Sequence, residues 1–264
     1  MTKTAGTRWV ITGAAGNIGS ALRSALLDRQ AVLVSTDIRA MTPLGPRETV
    51  AATDLADVDA LVTLFDGADG VIHLGGIADE ADFHDLAEVN IVGTYHVLEA
   101  ARRAGVPRVV YASSNRVTGL YATGDRVTPD MPTRPDGFYG VSKVAGEALC
   151  RLYADKFGLS TISIRIGSYE QQPGSAREQR TWLSPDDAVR AFLAAMTTTE
   201  HTAVFYAVSA NTEGWWDLDA GTALGFVPRD DAAQWGEAEH IDPDVPQGGA
   251  YATPAYSTDR MRRD

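Results

Sequence analysis

Tyr139-Gly-Val-Ser-Lys143 places a phenol and an ammonium four residues apart, so on a helix they share one face and can reach a single ligand. A lysine cation beside a tyrosine lowers the phenol's pKa and eases removal of a proton from a substrate hydroxyl. Taken alone, the pair fits a solvated helix face equally well, so its company decides. Upstream, an apolar run ends in Tyr111-Ala-Ser113-Ser114-Asn115. Ser114 at that end can hydrogen-bond the reacting hydroxyl beside Tyr139; otherwise the serines simply open a turn.

Thr12-Gly13-Ala-Ala-Gly16-Asn17-Ile18-Gly19 offers the other half of a reaction. It follows an apolar run, Trp9-Val-Ile-Thr, and opens a helical pattern, the setting that a dinucleotide loop requires. Glycines at this spacing let the backbone turn tightly and approach a pyrophosphate, whose charge the helix N-terminal amides stabilise. Asp37 ends the next apolar run about 20 residues on, where a carboxylate accepts hydrogen bonds from the adenosine ribose hydroxyls. Such a carboxylate repels a 2′-phosphate, so the expected cofactor is NAD. Arg39 is the one feature that would admit NADP. Asp54-Leu55, after a short third apolar stretch, either flanks the adenine or caps the following helix.

These groups meet only if rigid elements bring them together. Apolar, β-branched runs start at Trp9, Ala31, Gly70, Arg108, Thr161 and Ala203, and helical patterns cover 17–29, 57–65, 86–104 and 139–157. Runs of this kind suit strands covered on both faces, and the intervening patterns are long enough for crossover helices. The expected fold is therefore α/β, a Rossmann-type doubly wound parallel sheet with a small C-terminal substrate-side extension. Ligands of such sheets bind at the carboxyl ends of the strands, which is where the glycine loop, Asp37 and Ser114 fall. Gly105-Val-Pro107 and Phe157-Gly158 mark helix ends.

With 264 residues and 44% hydrophobic content, the chain can bury one sizeable core. A single domain over 1–264 is expected, with substrate-side segments at about 168–190 and 209–264. No apolar run approaches the ~20 residues of a membrane span, and the first residues lack a signal-peptide apolar region, so a soluble cytoplasmic protein is expected. Cys150 is the single cysteine, which precludes an intramolecular disulfide or thiolate cluster and reads as a buried, inert thiol. A net charge of −12 argues against nucleic acid, and an anionic substrate would need a local arginine. The acidic run from Asp79 to Asp85 reads as solvated first-turn carboxylates, and no metal is expected. Trp215 and Trp216 read as core or subunit contacts more readily than as a sugar platform. From about Glu237 a polar tail is expected to wrap over the surface or a partner subunit.

The glycine loop, the serine and the Tyr/Lys pair, in that order, resemble the short-chain dehydrogenase/reductase superfamily, with the TGxxGxxG loop of its extended, epimerase-like branch. Within that branch the chain resembles the uronate dehydrogenases, which oxidise the anomeric hydroxyl of galacturonate or glucuronate to an aldarolactone while reducing NAD. The likeness runs through His73-Leu-Gly-Gly-Ile77, Ser113-Ser-Asn115, Arg134-Pro-Asp-Gly-Phe-Tyr-Gly-Val-Ser-Lys143, Asp155-Lys-Phe-Gly158, Arg165-Ile-Gly-Ser168, Thr181-Trp-Leu-Ser184 and Gly214-Trp-Trp-Asp217. It covers nearly the whole chain.

The resemblance implies that Tyr139 is the general base on the C1 hydroxyl, that Lys143 lowers its pKa and holds the nicotinamide ribose, and that Ser114 orients the sugar. It implies that Asn115 and Ser168 bind substrate hydroxyls and that Arg177 meets the uronate carboxylate through bidentate, charge-assisted bonds. The cofactor set it implies is Gly13, Gly16, Asn17, Ile18, Gly19, Asp37, Asp54, Leu55, Leu74, Gly75, Gly76, Asn90, Ser113, Tyr139, Lys143 and Ile166. The substrate set adds Gly76, Ala78 and Arg116, and helices 86–104 and 139–157 imply a homo-oligomer.

Two positions depart from the family pattern. Ala78 stands where the family has a substrate-binding serine, and Arg116 stands where it has histidine. A lost neutral hydrogen bond costs about 0.5–1.5 kcal/mol, which shifts affinity without changing the activity class. Arg116 offers a compensating contact to an anion. The competing readings are an NAD-dependent epimerase or dehydratase, or a dehydrogenase of another sugar, and a non-catalytic NAD-sensing regulator. Only about 100 residues follow the Tyr/Lys helix, which suits a small free sugar better than a nucleotide-linked one.

Overall fold

The protein is described here as a computed structural model covering residues 5–262. Its elements begin with β1 (Arg8–Thr12), α1 (Asn17–Asp28), β2 (Val32–Asp37), β3 (Glu48–Ala52), α2 (Val58–Phe65) and β4 (Gly70–His73). There follow a single turn α3 (Phe83–Leu86), a π-helical turn Ala87–Val92, α4 (Gly93–Arg103), β5 (Arg108–Ser114) and the long α5 (Phe138–Phe157). The C-terminal part adds β6 (Ser160–Ile166), β7 (Ser168–Tyr169), α6 (Ala176–Thr181), β8 (Trp182–Leu183), α7 (Pro185–Thr197) and β9 (Thr202–Ala207), with short helices α8 (Asp219–Ala223) and α9 (Pro254–Thr258).

Seven strands form one parallel sheet in the order β3-β2-β1-β4-β5-β6-β9, with β7 and β8 paired separately. The direction of winding reverses between β1 and β4, so a crevice opens beyond their carboxyl ends. The fully buried runs Val10-Ile11, Val71-Ile72 and Val109-Val110 form the sheet's middle, as the unbroken apolar patterns predict. One face packs Leu22 and Leu26 of α1 and Phe192 of α7; the other packs Leu61, Phe65, Val97, Leu98 and Tyr153. Cys150 lies in that second layer, where burial pushes its thiol up to about 12 and makes it a poor nucleophile.

A third cluster underlies the C-terminal extension: Trp215 and Trp216 are buried with Tyr121, Val127 and Val208, and Trp216 stacks on Tyr206 at 5.3 Å. They are core residues, not a sugar platform. The helix expected over 86–104 is interrupted by the π turn, which inserts Asn90 toward the interior. Among the described residues no helix is long and apolar enough to cross a membrane.

Candidate active site

A cleft of about 980 Å³ runs along the carboxyl ends of β1, β2, β4, β5 and β6. At its nucleotide end, Gly13 adopts φ +68°, and a Cβ there would lie 2.6 Å from the Gly75 nitrogen, so only glycine lets the two loops touch. Gly16 precedes α1 without any side-chain cap, and no acidic residue occupies the first turn. The amides and the positive end of the helix dipole therefore face the cleft without a competing carboxylate. Asn17, Ile18, Gly19, Leu74 and Gly76 line the same wall.

Asp37 closes β2 with its carboxylate accepting the Ala15 amide at 3.0 Å and the Arg39 amide at 3.0 Å. Burial works against its charge, but the hydrogen bonds from Arg39 and Ala15 outweigh it and hold the carboxyl below its ordinary pKa. The Arg39 guanidinium folds onto the same carboxylate at 3.2 Å while remaining largely exposed. Asp54 faces the cleft and accepts the Ala56 amide; the cap of α2 is Asp57, which accepts the Ala60 amide. Leu55 packs beneath Gly75 and Gly93.

At the chemical end, Tyr139, Lys143, Ser114, Asn115, Ala78, Ile166, Ser168 and Arg177 all line the cleft. Lys143 donates to the Ala112 carbonyl at 3.0 Å, and burial lowers its pKa to about 8. Burial dominates and raises Tyr139 to about 12, and the downward pulls come from the Ser114 hydroxyl and the Arg116 guanidinium. Lys143 sits 5.7 Å from the phenol's ring centre with its ammonium turned to the β5 backbone.

Three residues that the resemblance put at substrate or cofactor have their side chains engaged by the protein itself. Arg116 does line the cleft, yet its guanidinium is paired with Asp136 at 2.8 Å, Asp79 at 2.9 Å and Glu80 at 3.3 Å, so its charge is not free for a substrate anion. Asn90 does not line the cleft. Its side chain accepts the Ile77 amide, donates to the Ile77 carbonyl and donates to the Ser142 hydroxyl, because the π turn points it inward. Ser113 lines the cleft, and its hydroxyl donates to Glu147, itself paired with Arg165.

Arg177 is in no ion pair among the described residues, although it is largely withdrawn from solvent and burial lowers its pKa. Its Nε donates to the Gln247 carbonyl at 2.7 Å and its Nη1 reaches the Ser168 hydroxyl at 3.4 Å. A cation desolvated without a carboxylate partner is expensive, which is the condition an anionic ligand relieves.

Residues that no motif announced complete the site. Glu80, in the run that reads as solvated acids, is buried and accepts the amides of Phe138 and Tyr139 at 2.8 and 3.1 Å. Gly137 gives way for it, since a Cβ there would collide with the Glu80 carboxylate. The tail folds back onto its own chain. Tyr251 lines the cleft with its ring 4.5 Å from the Arg116 guanidinium and 5.1 Å from that of Arg177. Tyr256 and Ser257 donate to Asp79 and Glu80 at 2.7 Å each. The cap position of α5 is Gly137, which has no side chain to offer, so the distant Glu80 carboxylate takes the first amides.

A chain of hydrogen bonds ties the two ends of the cleft together. Thr94 donates to the Asn90 carbonyl at 2.6 Å, so it accepts from His73 Nε2 at 3.1 Å, and His73 Nδ1 is left to accept from Thr12 at 2.8 Å. From Asn90 the chain continues through Ser142 to the Tyr139 carbonyl at 2.7 Å.

Comparison with known proteins agrees with this geometry. The family model for the NAD dependent epimerase/dehydratase family matches residues 9–170. The chain is 42% identical to uronate dehydrogenase of Pseudomonas putida over 96% of this chain and 98% of that protein. A crystal structure of glucuronic acid dehydrogenase from Chromohalobacter salexigens superposes with a TM-score of 0.88 at 41% identity, covering 96% of this chain and 99% of that one. A uronate dehydrogenase mutant from Agrobacterium tumefaciens complexed with NAD does so with a TM-score of 0.87 at 40% identity, covering 94% and 97%. The chain belongs to the NAD dependent epimerase/dehydratase family and, within it, to the uronate dehydrogenases.

The residues present fit NAD. The uncapped start of α1 suits the pyrophosphate and the Asp37 carboxylate suits the ribose diol, while Lys143 and Tyr139 stand at the nicotinamide end.

Proposed function

We propose that this protein oxidises a free hexuronic acid, galacturonate or glucuronate, at C1 to the aldarolactone, with NAD as cofactor. The observation that carries this reading is Arg177, a half-buried guanidinium with no ion pair among the described residues, in the same cleft as Tyr139 and Lys143. The guanidinium fork receives the uronate carboxylate, with Ser168 beside it. Tyr139 takes the C1 hydroxyl proton, and Ser114 and Asn115 hold the sugar hydroxyls. NAD, when bound, supplies the hydride acceptor. Ala78 offers the sugar van der Waals surface and no side-chain hydrogen bond, so grip on the sugar is concentrated at the carboxylate end.

The test is formation of reduced nicotinamide from NAD with galacturonate, glucuronate and the neutral aldoses galactose and glucose. Turnover with the acids, and a loss of 100-fold or more in Tyr139→Phe, on the order expected for general base catalysis, is the expected result. Preference for the neutral sugars, or full activity in Tyr139→Phe, overturns it.

A homo-oligomer in the cytoplasm goes with this reading. Tyr95 of α4 and Val141 and Leu152 of α5 stand exposed on the outer helices, apolar side chains that a second copy of the chain would cover. Sedimentation of a monomer at micromolar concentration would remove that support.

A further inference from the structure

Arg116 is buried among Asp79, Glu80 and Asp136, three carboxylates drawn from the loop after β4 and the segment entering α5. Its guanidinium carbon lies 5.3 Å from the centre of the Tyr139 ring. The ring of Tyr251 stands 4.5 Å from the same guanidinium, and that of Tyr256 5.5 Å. Glu80 joins the network to the catalytic helix itself, because the same carboxylate that pairs with Arg116 accepts the amides of Phe138 and Tyr139. We infer that Arg116 is a positioning residue for the oxidation, neutralising the acids that crowd the start of α5 and keeping the Tyr139 phenol beside a cation. This rests on the assignment of Tyr139 as the proton acceptor.

The groups that face Tyr139 are Lys143 on its own helix, Ser114 at the end of β5 and Arg116 beyond it, Asp79 and Glu80 after β4, Asp136 before α5, and Tyr111 on β5. Asp79 and Asp136 push the phenol's pKa up and Arg116 pulls it down. Asp136 is itself held above the usual carboxylate range by burial in spite of Arg116, and its Oδ2 has no hydrogen-bond partner. Removing the Arg116 charge therefore leaves the carboxylates uncompensated beside a group that must ionise. A histidine at this position would carry a cation only at low pH, so arginine makes the compensation permanent.

The experiment is the pH profile of kcat and of KM for wild type, Arg116→Lys, Arg116→Gln and Asp79→Asn. Alongside it, the tyrosine carbons are titrated by ¹³C NMR in ring-labelled protein, with Tyr139 assigned from Tyr139→Phe. Arg116→Gln is expected to move the acid limb of kcat up by about one pH unit or more, and the onset of the Tyr139 titration in the same direction. Arg116→Lys is expected to restore most of the shift, and Asp79→Asn, at the half-exposed rim, to move both in the opposite direction. If Arg116→Gln does not fold, the inference stands or falls on the sign of the shift in Asp79→Asn. Unmoved titrations with lower thermal stability alone overturn it in favour of a structural role. A raised KM for the acid with an unchanged kcat profile overturns it in favour of substrate binding. A wild type that titrates as described but oxidises no uronate overturns the functional reading instead.

Discussion

The carboxylate of Glu80 accepts the backbone amide of Tyr139 at 3.1 Å, so the helix that carries the phenol starts on an acid from a loop 59 residues away. The same carboxylate takes the Phe138 amide, the Ser257 hydroxyl and a bond from Arg116. It thereby binds the start of α5, the tail and the cation in one place. A helix N-terminus favours an anion by its orphan amides and its dipole, and a buried anion must be fully bonded to be tolerated; Glu80 satisfies both conditions.

Glu80→Ala is expected to destabilise the fold by about 3 kcal/mol, the scale for removing one partner of a buried pair. It should also lower kcat more than it raises KM for NAD, because the nucleotide end of the cleft has no contact with Glu80. Glu80→Gln keeps an acceptor for one amide and should lose less. Urea denaturation beside steady-state kinetics checks both.

Asp37 accepts the Ala15 amide from the glycine loop and pairs with Arg39, so it shapes the loop as well as receiving a ribose. Asp37→Ser is expected to raise KM for NAD by roughly 10- to 100-fold, on the scale of a hydrogen bond to a charged group. It also releases Arg39 to meet a 2′-phosphate, so NADP should begin to be used. Comparing kcat/KM for the two nucleotides in wild type and variant checks the prediction, and an unchanged ratio refutes it.

The parts of this site that depend on local pattern were legible from residue order. The glycine loop, Asp37, and Tyr139 with Lys143 each lie where the alternation of apolar runs and helical patterns places the crevice. What escaped was whatever depends on which distant residues face each other. Arg116 carries the chemistry of an anion site, and nothing in its neighbours Asn115 and Val117 tells that three acids converge on it. The π turn around Asn90 hides in an amphipathic pattern, since one inserted residue leaves the helical period almost intact. The two-residue strands β7 and β8 are too short to carry a pattern, whereas α7, absent from the expected elements, does start on a legible signal: Ser184 as cap, then Pro185 and two first-turn acids.

His73 is neutral at neutral pH because burial, aided by the Lys143 charge, lowers its pKa to about 3. The unfolded chain binds a proton near the ordinary histidine value of about 6.5, so between about 6.5 and 3 the unfolded state holds more protons than the folded one. Stability contributed here is present above about 6.5 and is lost as pH falls toward 3, by on the order of 5 kcal/mol at full protonation. His73→Gln is expected to be less stable at pH 7, because the chain from Thr12 to Thr94 is broken, and to show a shallower loss between pH 6.5 and 4. Chemical denaturation at a series of pH values in wild type and variant measures the two slopes. Equal slopes would mean that His73 is not the group responsible.

Arg177 separates binding of the acid from the chemistry at C1. Its Nε is held by the Gln247 carbonyl and its ring-facing side by Tyr251, so the tail sets the direction of the fork. Arg177→Ala is expected to raise KM for the uronate by roughly 10- to 100-fold, the cost of charge-assisted hydrogen bonds, while KM for NAD stays within about twofold. Tyr251→Ala leaves the guanidinium in place but unsupported, and should raise the same KM by less. With a neutral aldose as substrate neither change should matter, since no carboxylate is there to be met. Kinetics with an acid and its neutral counterpart therefore distinguish a carboxylate site from a general weakening of the cleft: an equal loss on both substrates would mean that Arg177 supports the structure of the pocket and does not read the acid.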